Sequence, residues 1–162
     1  IIHVKNKDTL IVEDFYFKCS VGKKGIRKNK SEGDFYTPSG KFKFGYLYWR
    51  PDRVALPKTK LSCKKIKKNM GWCNDPLHKK YNSLIDTRLK IKHEKIFRRD
   101  SKYDVIIVID YNLKNPIPFK GSAIFIHLTN NYKPTAGCVA LKENDMFVLL
   151  KIINKKTKIR LD

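Results

Sequence analysis

Alternation of apolar and polar residues with a period of two runs through most of this chain. Residues 1–4 and 9–12 are short apolar stretches around the polar residues 5–8, and predict two strands joined by a turn. Phe15, Phe17 and Cys19 alternate with Tyr16 and Lys18, a third strand. Residues 41–49 put Phe42, Phe44, Tyr46 and Tyr48 on one side and Lys43, Gly45, Leu47 and Trp49 on the other, with Pro51 ending the strand. Residues 103–111 carry the unbroken apolar run 105–109, which predicts burial on both faces. A further apolar run, 123–126, ends in His127, and another follows Cys138. Residues 158–161 alternate as a last strand.

The remaining segments are less regular. Residues 146–153 form an apolar stretch of helical character, preceded by the polar residues 142–145, and a second weak helix is read in the charged segment 91–99. Residues 22–40 hold four glycines, a proline and the basic cluster 23–30, and read as a loop whose lysines are solvated, with contact to an anionic substrate as the alternative. Thr37-Pro38-Ser39-Gly40 reads as a turn. Residues 54–57 and 61–66 are short extended candidates. Residues 71–82 have no clean period; there Trp72, His78 and Tyr81 are candidates for lining a cleft or for packing on the body. The pattern is mainly β: a β-sandwich or curled mixed sheet with one or two short helices.

Length and composition narrow this. A chain of 162 residues with 41% hydrophobic content is expected to form a single globular domain, 1–162. Lys and Arg number 36 against 15 Asp and Glu, a net charge of +21. Nucleic acid, an anionic surface such as a cell wall, and a plain lysine bias compete to explain that excess. The lysines are scattered, specific base readers favour arginine, and no helix-turn-helix, zinc-finger or ribonucleoprotein motif is present, so nucleic acid ranks behind the others. No apolar run approaches the roughly 20 residues of a membrane span. No signal-peptide pattern is visible, and a chain that starts at Ile1 is expected to lack a preceding piece. Cys19, Cys63, Cys73 and Cys138 include no Cys-x-x-Cys pair, which argues against a zinc site; a Cys63–Cys73 disulfide stays open for an oxidising compartment.

The candidate chemistry lies in residues 121–141. A strand that stops at His127 and a loop that returns at Gly137-Cys138 can bring imidazole beside thiol, with the Gly137 and Cys138 amides available for an oxyanion. Cys138 is expected just ahead of the helix, whose N-terminal dipole would favour a thiolate. The plainer alternative is a core cysteine and a structural histidine. Asp110, beside Tyr111 and Asn112, either approaches this site or caps a strand end.

His127 at a strand end, a loop, and Thr135-Ala136-Gly137-Cys138 resemble the signature of the L,D-transpeptidase catalytic domain, the YkuD-like family of peptidoglycan enzymes. Upstream, Glu32-Gly33-Asp34 with Thr37-Pro38-Ser39-Gly40-Lys41-Phe42, then Arg50-Pro51-Asp52-Arg53, Gly71-Trp72-Cys73-Asn74-Asp75-Pro76 and Tyr111-Asn112, resemble a divergent branch of that family, in the same order. The resemblance runs from about Gly22 to about Leu150. It departs where Ala136 replaces a second histidine and Ala140 an Arg or Asn, and the loop from His127 to Cys138 holds only ten residues. The resemblance implies a cysteine acyl-transferase of peptidoglycan stem peptides in the cell envelope or periplasm, with no metal and no organic cofactor. His127 would be the base, Cys138 the nucleophile and Gly137 an oxyanion amide; Thr135, Tyr111, Asn112 and Trp72 are the candidates for substrate contact. A hydrolase using the same acyl-enzyme and a non-catalytic basic binding module are the alternatives, and the oligomeric state stays open.

Overall fold

The computed structural model describes residues 1–162. In chain order the strands are β1 (Ile2–Lys5), β2 (Thr9–Val12), β3 (Phe15–Ser20), β4 (Gly25–Arg27), β5 (Tyr36–Pro38), β6 (Gly40–Trp49) and β7 (Cys63–Lys65). They continue as β8 (Met70–Cys73), β9 (Leu84–Asp86), β10 (His93–Lys95), β11 (Val105–Ile109), β12 (Phe125–Leu128), β13 (Val139–Leu141) and β14 (Lys158–Leu161), with one α-helix, α1 (Glu143–Ile152), before the last. The secondary structure is mainly β, as the alternation predicts.

The main sheet is mixed and curls until it meets itself. Its order is β11-β12-β13-β3-β2-β1-β14-β6-β7, and β11 also pairs with β6, so eight strands make a ring. The long β6 makes the closure: Gly40 to Lys43 pair with β14, and the half from Phe44 on pairs with β11 on one side and, at Leu47 to Trp49, with β7 on the other. Inside lies the larger core, which α1 seals with Met146, Leu149 and Leu150. Outside the ring, β10-β8-β9 form a three-stranded antiparallel sheet over a second core. The unbroken run of β11 now has its physical reason. Val105, Ile107 and Ile109 point into the first core, while Ile106 and Val108 point into the second.

Several sequence expectations are corrected. Ile107 faces Leu47 and Ile109 faces Phe44, so four residues of β6 span three of β11, a β-bulge. The extra residue shifts the period by one. Phe42, Phe44, Leu47 and Trp49 therefore all turn to the first core, Tyr48 turns to the second and Tyr46 is exposed. Residues 37–40 are extended rather than a turn, because β5 pairs with β4 and β6 begins at Gly40. Residues 54–57 form no strand. The segment 91–99 contains strand β10 rather than a helix: its register on β8 opposes Glu94 to Trp72, and pairing overrides the local charge pattern. A single 3-10 turn, Thr87–Leu89, precedes it. All four cysteines are free.

Candidate active site

The backbone pairing of β12 with β13 puts His127 and Cys138 on one face. Those strands are parallel, with Ile126 opposite Val139 and His127 opposite Ala140. Ile126 and Val139 point into the ring, so the alternating Phe125, His127, Cys138 and Ala140 point outward, toward the three-stranded sheet. Imidazole and thiol are then diagonal neighbours on adjacent strands. Both line one cavity of about 230 Å³, together with Lys30, Glu32, Asn74, Glu94, Lys102 and Tyr103.

Each partner of the pair is held by its surroundings. The Nδ1 of His127 donates to the Leu128 carbonyl at 2.8 Å. That fixes the tautomer and leaves Nε2 as the free acceptor, buried and without a partner. The Tyr103 ring meets the imidazole edge-on at 5.5 Å. The Cys138 thiol donates to the Ala123 carbonyl at 3.2 Å and its sulfur accepts the Phe125 N–H at 3.4 Å. Burial pushes the imidazole down to about 3 and the thiol up to about 12, the latter with help from the Glu94 carboxylate. The pair therefore rests as neutral thiol and neutral imidazole. This corrects the expectation of a dipole-stabilised thiolate: β13 intervenes between Cys138 and α1, so the helix N-terminus does not reach the sulfur.

The turn that carries Cys138 is set by two hydroxyls. Thr135 Oγ1 accepts the Gly137 N–H at 3.1 Å and donates to the Cys138 carbonyl at 2.6 Å. Thr37 Oγ1 accepts the Gly22 N–H and donates to the Gly137 carbonyl, both at 2.8 Å. Gly137 sits at φ +149°, and a Cβ there would stand 2.9 Å from the Tyr36 carbonyl oxygen, so only glycine fits. The expectation that the Gly137 amide faces an oxyanion is thereby corrected, since Thr135 already occupies it. The Cys138 N–H remains unbonded. The Lys30 ammonium lies at the same corner, 3.4 Å from where a Gly137 Cβ would be, and is paired with Asp34 at 2.8 Å. Lys30 is only 4% exposed, so it is not part of a solvated loop as its basic cluster suggests.

The other sequence candidates stand elsewhere. Thr135 lines the cavity. Trp72 does not: it is buried in the second core, stacked edge-on against Phe125 at 5.1 Å, with its Nε1–H donated to Asn82. Tyr111 and Asn112 hold the loop that leads to β12. The Tyr111 hydroxyl donates to the Lys120 carbonyl, and the Asn112 side chain bonds the backbone of Ile117 and Gly121. Asp110 is exposed and outside the cavity wall. Ala136 is exposed at the cavity rim and Ala140 is fully buried opposite His127.

Sequence reasoning missed Lys30, Asn74, Glu94, Lys102 and Tyr103 as cavity residues, and Asn82 beneath them. The Asn82 side chain accepts from Trp72 and Ala123 and donates to the Tyr111 and Asn112 carbonyls, tying β8 to both ends of the loop between β11 and β12. Of these missed residues only Asn74 lies in one of the matched upstream motifs, residues 71–76. No cluster of three His, Cys, Asp or Glu side chains is placed to hold a metal ion.

Comparison with known proteins places the chain in a family. The family described as YkuD, the L,D-transpeptidase catalytic domain, matches residues 2–161. A solved structure of Bdellovibrio bacteriovorus Bd1075 aligns with a TM-score of 0.52 at 14% identity, over 100% of this chain and 47% of the other. That likeness concerns the fold alone, and this chain spans about half the length of that protein. No curated protein matches the sequence.

Proposed function

The chain belongs to the L,D-transpeptidase catalytic-domain family, and from that premise we propose that it is a cysteine acyl-transferase acting on peptidoglycan stem peptides. The observation that carries the reading is His127 and Cys138 on one face of adjacent strands, in one cavity, with Nε2 of His127 free to accept a proton. The donor is a stem peptide, and the bond attacked is the carbonyl at the L-centre of its diamino acid. As sulfur approaches that carbon, the thiol proton passes to Nε2 and the S–C bond forms. The carbonyl electron pair moves to oxygen, where the unbonded Cys138 N–H and the nearby Lys30 ammonium support the negative charge. Collapse breaks the C–N bond, the leaving D-amino acid takes the proton from His127, and a thioester remains. An amine from a second stem then forms the cross-link; water in its place makes the same site a carboxypeptidase.

The resting neutral pair bears on how this starts. With the thiol pushed up to about 12, a standing thiolate is scarce, so proton transfer accompanies substrate arrival rather than preceding it. The cell envelope or periplasm is the compartment where such a substrate lies. No helix is long and apolar enough to cross a membrane. The charge of +21 supports attraction to anionic wall polymers over long range.

Incubation with muropeptides followed by intact mass measurement tests the proposal. A mass increase of one acyl group on Cys138 is expected, absent in Cys138→Ala and reduced at least about a hundredfold in rate in His127→Ala, the usual scale of a lost general base. Cys19→Ala and Cys63→Ala should keep it. Turnover that survives in Cys138→Ala would defeat the mechanism. Tight oligonucleotide binding near physiological salt, with no muropeptide processed, would favour a basic binding module instead.

A further inference from the structure

The side of the cavity facing Cys138 is lined by acceptors that have nothing to accept. Glu94 on β10 lies opposite Trp72 on β8, and Asn74 follows two residues after Trp72. All three side chains therefore share one face of the three-stranded sheet. Trp72 on that face packs against Phe125 of β12, so the face is turned toward the strands that carry His127 and Cys138. Asn74 Oδ1 is buried without a hydrogen-bond partner. One oxygen of Glu94 accepts the Tyr103 hydroxyl; the other makes no hydrogen bond. His127 Nε2 is the third empty acceptor of the same cavity.

Cations of the protein do not fill this place. Lys30 is held by Asp34 and by the Ser31 carbonyl, Lys102 lies 5.5 Å from the centre of the Tyr103 ring, and Arg98, 5.2 Å from the same ring, is paired with Asp100. Glu32, the other cavity carboxylate, already accepts from Tyr81 and Ser122. What is left is one carboxylate oxygen, one amide oxygen and one imidazole nitrogen around an open space. A hydroxyl could satisfy only one of them. A primary ammonium carries three N–H donors and the opposite charge.

We propose that Asn74 and Glu94 form a subsite for a primary ammonium group beside the Cys138–His127 pair. Recognition of the ammonium stands on this geometry alone; its part in catalysis rests on the transpeptidase reading above. Two sources share the chemistry, the amine of the incoming acceptor stem and the free amine of the donor's own diamino acid. For the acceptor, the step balances as follows. The bound ammonium gives one proton to His127 Nε2, and the freed lone pair attacks the thioester carbonyl. The C–N bond forms and the nitrogen gives its second proton to the Glu94 carboxylate, which passes it to water; the C–S bond breaks, and the departing sulfur takes a proton back from the imidazolium. A seated ammonium also offsets the Glu94 charge that helps keep the thiol protonated.

Three methanethiosulfonate reagents of similar length test the subsite without any muropeptide: 2-aminoethyl, 2-hydroxyethyl and 2-(trimethylammonio)ethyl. Modification of Cys138 is followed by peptide mapping, and each rate is divided by that of a free small thiol. The aminoethyl reagent should exceed the other two by about tenfold, the scale of one charged hydrogen bond, despite the +21 charge of the protein. That preference should fall about tenfold in Glu94→Gln and about threefold in Asn74→Ala, with folding checked by circular dichroism. Equal normalised rates for the three reagents in the unaltered protein overturn the proposal. So does an unchanged preference in the folded variants. If Glu94→Gln fails to fold, Asn74→Ala and the reagent comparison in the unaltered protein still decide. With muropeptides, slower thioester formation in Glu94→Gln assigns the donor amine, and a shift from cross-link to hydrolysis at unchanged thioester formation assigns the acceptor. An ammonium preference with no muropeptide processed keeps the subsite and removes the transpeptidase reading; cross-linking without the preference does the reverse.

Discussion

Thr135 shows how much of the site depends on single atoms. Its hydroxyl is the partner of both the Gly137 N–H and the Cys138 carbonyl, in a turn only 7% exposed at Thr135. Thr135→Val keeps the shape and orphans both groups, so it should cost about 2–3 kcal/mol in denaturant unfolding and lower turnover at least about tenfold, while Thr135→Ser restores most of each. Gly137→Ala should cost about 1–3 kcal/mol, because the methyl meets the Tyr36 carbonyl and the backbone stays at positive φ. His127, Cys138 and Thr135 were legible in the sequence because a strand end, a loop and a small-residue turn leave a local pattern. Lys30, Asn74 and Glu94 were not. Each sits among other charged or polar residues, and nothing local separates a lysine facing a cavity from one facing water.

At the level of elements, β8 and β10 are the instructive case. Their sheet supplies a supporting core under the site, through Trp72, and the cavity side chains Asn74 and Glu94. Trp72→Phe should therefore lose about 1–2 kcal/mol of stability, from the deleted N–H to Asn82, and leave KM for a donor peptide unchanged. A KM raised tenfold at unchanged stability, measured by steady-state kinetics beside chemical denaturation, would return Trp72 to a role in substrate contact. The strand of β10 was hidden in the sequence by its charges, since Lys92, His93, Glu94 and Lys95 offer no apolar alternation. The bulge in β6 was hidden for a different reason. An inserted residue leaves the alternation intact in the sequence and changes only which face each half presents.

Over the whole molecule, closing the ring buries both faces of the strands that carry the pair, and that burial sets its response to pH. His127 is held near 3, against an ordinary value of about 6.5, by its surroundings. Below pH 6.5 the unfolded chain takes up a proton that the native state refuses, so stability falls as pH drops toward 3, by up to about 1.4 kcal/mol per pH unit. Between pH 6.5 and 5, above the main carboxylate range, unfolding free energies should show that slope, and His127→Gln should flatten it. Equal slopes in both proteins would mean the imidazole is not buried as a neutral base. Cys19 and Cys138, both pushed up to about 12, act at the other end: stability present below pH 9 is lost as pH rises toward 12. By itself the sequence determined the strand-rich class, the fully buried β11, the helix near the end and the His127–Cys138 pair, because alternation, β-branched runs and short motifs are properties of neighbouring residues. The tertiary structure alone decided the ring closure, the neutral resting pair, the capture of the Gly137 amide by Thr135 and the opposing face with Asn74 and Glu94. Those depend on which distant strands lie side by side, on how far water is excluded and on which donors reach a group first, and none of these is written in the spacing along the chain.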